Sequence, residues 1–176
     1  MCLIMSNIPD ELLDIVDAQD AVIGTMWRSQ RERPEHWHFR SVFAFLKNSE
    51  GKVCILRRSA NKSYLPLHWS LVGGCVSSGE DYDVAVVREI AEEINMDVDI
   101  ATLSYLGHVT PTEFGGRFFT KVYEIRVDSF QINYNPEDFC EYRWIFPHEL
   151  LELQKTGELI EKKIVHVVQR FYPREK

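Results

Sequence analysis

Three glutamates, Glu89, Glu92 and Glu93, follow Arg88 closely in this 176-residue chain. On a helix, residues at i, i+3 and i+4 project to one side. Like charges at that spacing repel and destabilise the helix that carries them. A hard divalent cation offsets the repulsion. Mg2+ takes one or two carboxylates together with substrate phosphates. Arg88 is placed to pair with one of the acids and fix its rotamer. A solvated acidic face would be the ordinary reading of a Glu-rich helix. Here the acids stand in a fixed frame: Gly74, then Glu80 after five residues, then Arg88-Glu89-Ile90 after seven more, then Glu92-Glu93.

The acids need an element to carry them. Val84, Val87, Ile90, Ala91 and Ile94 recur at three- and four-residue steps, which predicts an amphipathic helix from about Asp81 to Ile94 with these residues buried. Asp81 and Asp83 fall in its first turn, at the positive end of the dipole. Asn95 marks the stop, being second only to Gly in the left-handed conformation. Glu80 is read as a brace for the helix start.

The frame resembles the box of the Nudix hydrolases, G-x5-E-x7-R-E-U-x-E-E-x-G-U with U apolar. Every fixed position is filled except the last glycine, here Asn95, and the final apolar position is Met96. Residues from about 11 to 96 are also similar to the Nudix subgroup related to type I isopentenyl diphosphate isomerase, through Glu11 to Asp17, Ile23-Gly24, the run from His38, Arg57 to Lys62, Pro66 and Trp69. The resemblance implies an α/β/α sandwich with a mixed sheet, and Mg2+-dependent cleavage of a diphosphate linkage, with Mn2+ as the substitute ion. It implies metal ligation by Glu89, Glu92 and Glu93, with a backbone carbonyl from the Gly74 region, and a catalytic part for Arg88. The general base stays open among Glu89, Glu92, Glu113 and Glu141. Arg58 and Lys62 match the pair that holds the diphosphate in the related isomerases. Isomerase chemistry itself is the competing reading. It needs a Cys where this chain has Gly73 and a metal-binding His where it has Cys75; only His38 falls near one of the required histidines.

The net charge of −7 and the lack of a Lys/Arg run argue against a nucleic-acid polymer as partner and leave a small phosphorylated molecule as substrate. Cys2, Cys54, Cys75 and Cys140 form no Cys-x-x-Cys pair, which fits a reducing, cytoplasmic setting. No apolar run reaches the ~20 residues that span a bilayer. Met1 to Met5 lacks the basic region of a signal peptide.

The expected organisation is one domain over 1–176, with an N-terminal β-hairpin at about 8–26 and the box at 74–96. Trp27 to His38 reads as a loop or irregular helix. Val42 to Leu46 and Val53 to Leu56 read as a second hairpin around Asn48-Ser49-Glu50-Gly51. Further strands are expected near Leu71-Val72 and over Ile100–Thr110, Phe118–Val127 and Tyr142–Phe146, with a loop at Pro111–Gly116. Helices are expected over Pro147–Lys155 and Leu159–Phe171. Tyr64, Trp69, Phe114 and Phe118 are read first as packing residues and second as platforms for a base. Base specificity is expected to lie around Arg117, Phe118 and the hairpin. His36, His38, His68 and His108 have no metal-like spacing. The hairpin, Trp27 and Trp37 offer surface for a homodimer.

Overall fold

The structure, a computed structural model, describes residues 10–30 and 33–173, without the side chain of Phe114. Met1 to Met5, Cys2 among them, lie outside the described residues. The hairpin expected at the N-terminus is present as β1 (Leu12–Val16) and β2 (Val22–Trp27). Its turn is closed by the Asp17 carboxylate, which accepts from the backbone N–H groups of Gln19 and Ala21, the usual service of Asp in a turn.

The second hairpin joins β3 (Phe39–Lys47) to β4 (Val53–Arg58), and the Asn48 side chain accepts from the N–H groups of Glu50 and Lys52. The two strands pair only at Lys47 and Val53 before they separate. β4 then pairs with β5 (Trp69–Ser70) and β8 (Phe139–Ile145), both antiparallel. The side of β3 that β4 vacates is taken by residues 71–76, through Val72 opposite Ala44 and Cys75 opposite Ser41. On its other side β3 pairs in parallel with β7 (Phe118–Arg126), which carries β6 (Ser104–Val109) antiparallel at the edge. The sheet is therefore mixed, in the order β5-β4-β3-β7-β6 with β8 also on β4.

Side chains alternate across β3 and divide the interior into two layers. Val42, Ala44 and Leu46 face α1 (Tyr82–Ile94), with Ala85, Val86, Ile90 and Ile94 packed on them. Phe43 and Phe45 face the other way, onto Trp69, Leu71 and the Ile164, Val167 and Val168 face of α4 (Lys162–Phe171). α2 (Pro111–Phe114) is one turn, and α3 (Glu149–Lys155) precedes α4. The hairpin buries Leu13, Ile15 and Met26 against Phe39 and Cys75. Each such large side chain contributes about 1.5–3 kcal/mol when fully buried. The hairpin is thus fixed to the sheet end at which residues 71–76 arrive.

Several expected boundaries change. Helix α1 is turned from the expected phase: Val84 is 53% exposed, while Ala85, Val86, Glu89 and Glu93 are buried. The buried stripe includes two acids, so apolar residues alone misplace it. Pro111–Gly116 is not a plain loop; Thr110 and Glu113 form a reciprocal cap on a helical turn with Pro at its start. Ile100–Thr102 is a 3-10 turn capped by Asp99, and the strand begins only at Ser104. The last helix starts at Lys162, because Leu159, Ile160 and Glu161 are tied to Trp69 by backbone pairing. β8 begins earlier than expected, at Phe139. The helix expected from Pro147 begins at Glu149, and the short strand expected near Leu71-Val72 is centred on Trp69–Ser70.

Candidate active site

The strand that follows β5 bends at Gly73 and Gly74, and the bend lies against the acidic edge of α1. Gly73 has φ +147°, and a Cβ there would lie 2.1 Å from the Val42 carbonyl oxygen. A Cβ on Gly74 would lie 2.3 Å from a carboxylate oxygen of Glu89. Both positions need glycine for close approach, one to backbone and one to a side chain. The Gly73 N–H donates to Glu93 at 2.8 Å. The Gly74 carbonyl already accepts from Val42 N–H at 2.9 Å, which leaves one lone pair for another partner.

Arg88 organises the acids around this bend. Its Nε and Nη2 reach the two Glu80 oxygens at 2.9 and 3.0 Å, and Nη1 reaches Glu89 at 2.9 Å and Glu92 at 3.1 Å. Nη2 also donates to the Cys75 carbonyl at 3.0 Å. The planar fork makes this set of contacts possible. Glu80 also accepts from Ser77 N–H at 3.0 Å, so it braces the helix start as expected.

Burial pushes Glu89 up to about 7, against the opposing pull of Arg88. Burial, with Glu89 next to it, holds Glu93 well above the usual carboxylate range. A carboxylate without enough partners is held protonated in this way. Glu92 stands apart, with its side chain 58% exposed and turned onto Arg88. Among the described residues no three His, Cys, Asp or Glu side chains converge at metal distance. The three expected ligands are thus brought to one helix edge, but Glu92 is not aimed with the other two. The residues still fit a hard divalent ion. The donors are carboxylate oxygens, Gly74 lets the Glu89 carboxylate lie directly against the bend, and a cation would hold the two buried acids in the charged form.

The other expected residues divide. Lys62 pairs with Asp138 at 2.6 Å, and its charge acts on Glu93, which puts it at the acid cluster. Arg58 donates Nε to the Tyr64 carbonyl at 3.1 Å and so ties down the loop after β4. Glu113 caps its own helical turn and pairs with Arg170. Glu141 lies within β8, held by Arg57 at 3.4 Å and Arg143 at 3.0 Å. Phe118 packs on Phe39 with ring centroids 5.8 Å apart. Trp69 is fully buried, and Arg57 and Arg143 lie over its ring, so it serves packing. Arg117 is engaged with the carbonyls of Arg33 and Pro34.

Sequence reasoning missed three participants. Glu11 of the hairpin hydrogen-bonds Ser77 at 3.0 Å and adds its charge to that felt by Glu89. Asp138 holds Lys62. Lys163 enters from the start of α4. Glu11 and Lys163 are far from the box in sequence, and no spacing rule links them to it.

A mixed sheet between helices, with buried glutamates on one helix edge beside a glycine bend, is the arrangement that the resemblance of the box implies. Comparison with known proteins agrees. The NUDIX domain family matches residues 37–168. An uncharacterised Nudix hydrolase of Nostoc is 43% identical over 163 residues, covering 92% of this chain and 96% of that protein. A Nudix protein of Deinococcus radiodurans is similar in crystal structure, with TM-score 0.85 and 36% identity over 92% of this chain and 99% of that one. An RNA pyrophosphohydrolase of Novosphingobium aromaticivorans is 25% identical over 134 residues, 64% of this chain and 80% of that protein. The chain belongs to the Nudix family and is a Nudix hydrolase.

Proposed function

We propose that the protein is a Mg2+-dependent pyrophosphohydrolase that cleaves the diphosphate linkage of a nucleoside diphosphate or a nucleoside diphosphate derivative. The observation that carries this reading is the pair Glu89 and Glu93, buried together against a bend where a Cβ would collide with the Glu89 carboxylate. Buried acids so placed destabilise the fold as anions unless a cation joins them. The activity named for the Novosphingobium relative breaks the same type of bond.

Glu89 and Glu93 supply oxygen ligands, and the Gly74 carbonyl has one lone pair left to add. Glu92 completes the set by turning from Arg88. When bound, the ion screens the phosphate oxygens and lowers the pKa of a coordinated water. Lys62 and Arg58 hold the outer phosphate, Lys as a point charge and Arg by its fork. Water forms the new P–O bond, its proton passes to a carboxylate of the α1 edge, and the bridging P–O bond breaks with its electron pair on the departing phosphate. Glu113 caps its own helical turn and Glu141 lies within β8, whereas Glu89 and Glu92 stand on the α1 edge with the proposed ligands, which assigns the proton to the α1 acids.

The isomerase reading lacks its acid at the bend. The Gly73 conformation and the 2.1 Å approach to Val42 exclude a Cys side chain there, and the buried Cys75 thiol is pushed up by desolvation.

Chromatography of the nucleoside monophosphate released from a panel of nucleoside diphosphates, nucleotide sugars and dinucleotides tests the proposal. Activity is expected to vanish with EDTA and return with Mg2+ or Mn2+, and Glu93→Gln is expected to lower kcat about 100-fold, the scale on which a lost charge-stabilising group acts. Turnover indifferent to chelation, or to Glu93→Gln, overturns it.

A further inference from the structure

We propose that Lys163, with Ser41 and Thr120, forms the subsite that recognises the organic part of the substrate, by donating to the exocyclic oxygen of a planar oxo-base. This rests on the pyrophosphohydrolase reading, since it assigns the part of the molecule that lies beyond the phosphates.

Lys163 is half-buried in the first turn of α4. Its Nζ lies 3.4 Å from Ser41 Oγ, which is 2.8 Å from Thr120 Oγ1. It also lies 4.4 Å from the ring centre of Phe118 and 5.1 Å from that of Phe43. Ser41 and Thr120 are buried polar residues on adjacent parallel strands, aligned by register. The position is poor for a lysine. A helix start is the positive end of the dipole, and desolvation lowers the Lys163 pKa, with Glu161 opposing. Its ammonium and the two buried hydroxyls form a polar cluster at the edge of an apolar layer.

The subsite adjoins the acids. Ser41 faces Cys75 across the ladder, and the next residue back is Gly74, on which Glu89 rests. The charges of Lys163 and Glu89 both act at Cys75, the residue after Gly74, which puts the two within reach of one ligand. The donors select the ligand. Lysine donates only, and the two hydroxyls together have one proton left after bonding each other. Phe118 and Phe43 supply apolar walls, which receive a flat ring better than a second phosphate. A keto oxygen satisfies this set, whereas the amino edge of adenine presents a donor to a donor.

The experiment compares hydrolysis of UDP and ADP, and binding of their non-hydrolysable α,β-methylene analogues, in the wild type, Lys163→Met and Ser41→Ala. The wild type is expected to favour the uracil compounds in both binding and kcat/KM. Lys163→Met, a long apolar replacement, is expected to erase roughly 10- to 100-fold of that preference, the worth of a charged hydrogen bond, by lowering the UDP values without lowering those of ADP. Ser41→Ala is expected to erase part of it without removing the charge. A preference unchanged in both variants, a wild type without one, or an equal loss for both bases in Lys163→Met overturns the inference. A wild type that binds with the preference but hydrolyses nothing with Mg2+ overturns the pyrophosphohydrolase reading instead and leaves the subsite supported. A thermal melt checks that each variant is folded.

Discussion

At the scale of single residues, the site is a set of conflicts held in place by Arg88. One guanidinium joins Glu80, Glu89, Glu92 and the Cys75 carbonyl, so Glu80 and Glu89 are positioned before any ligand arrives. The two glycines of the bend separate folding from function. At Gly73 an added Cβ meets backbone at 2.1 Å, and backbone cannot yield cheaply. At Gly74 it meets the far end of Glu89, which can swing away. Gly73→Ala is therefore expected to lower stability by about 2 kcal/mol or more, since the left-handed backbone and the clash add together. Gly74→Ala is expected to retain most stability but lose most activity, because it displaces a proposed metal ligand. Urea melts and phosphate-release assays on the two variants check this, and equal melting losses would contradict it.

Among the elements, α1 does the most for the site, and its ends show why it holds still. Asp81 stands at its N-cap and Asn95 ends it in the left-handed conformation, φ 50°. The Asn95 side chain also donates to the Asn133 carbonyl at 2.9 Å, tying the helix end to the segment before β8. Asn95→Ala is expected to cost about 1 kcal/mol, because it loses both the left-handed preference and the bond. Asn95→Gly is expected to come out near neutral, an easier backbone offsetting the lost bond. Thermal melts of the two variants decide it, and an Ala variant as stable as the Gly variant would count against the cap.

This helix was the most legible element. Its acids, its stop and its brace could be read from spacing, because helical geometry maps sequence offset onto direction. The same reading put Val84 inside, because it assumed that only apolar residues are buried, and Glu89 and Glu93 break that rule. The divergence of β3 from β4 was not legible. Asn48 to Gly51 announces a turn but says nothing of the strand that later enters between the two. Lys163 was invisible for a related reason: nothing local distinguishes it from Lys162, and only the sheet brings Ser41 and Thr120 beneath it.

At the scale of the whole molecule, the buried acids make stability depend on pH and on metal together. In the folded chain Glu89 titrates at about 7, above its ordinary 4.5. Between those values the folded state holds more protons than the unfolded one, so stability is greatest below the lower value and is lost as pH rises through the upper. Glu93, raised by the same burial, carries the loss in the same direction. A divalent ion binds the deprotonated acids, so it competes with protons and restores at high pH what deprotonation removed. The metal-free wild type is expected to lose melting temperature from pH 5.5 to pH 8 relative to Glu89→Gln, which lacks that titration. Mg2+ is expected to raise the wild-type Tm more at pH 8 than at pH 5.5, and to raise the variant less. Scanning calorimetry at both pH values, with EDTA and with excess Mg2+, measures each difference. A Mg2+ shift that is the same at both pH values, or the same in wild type and Glu89→Gln, would mean that the ion does not meet these acids. Net charge is −7 over the whole chain, so general screening by the ion acts in every sample alike and cancels in the comparison with the variant.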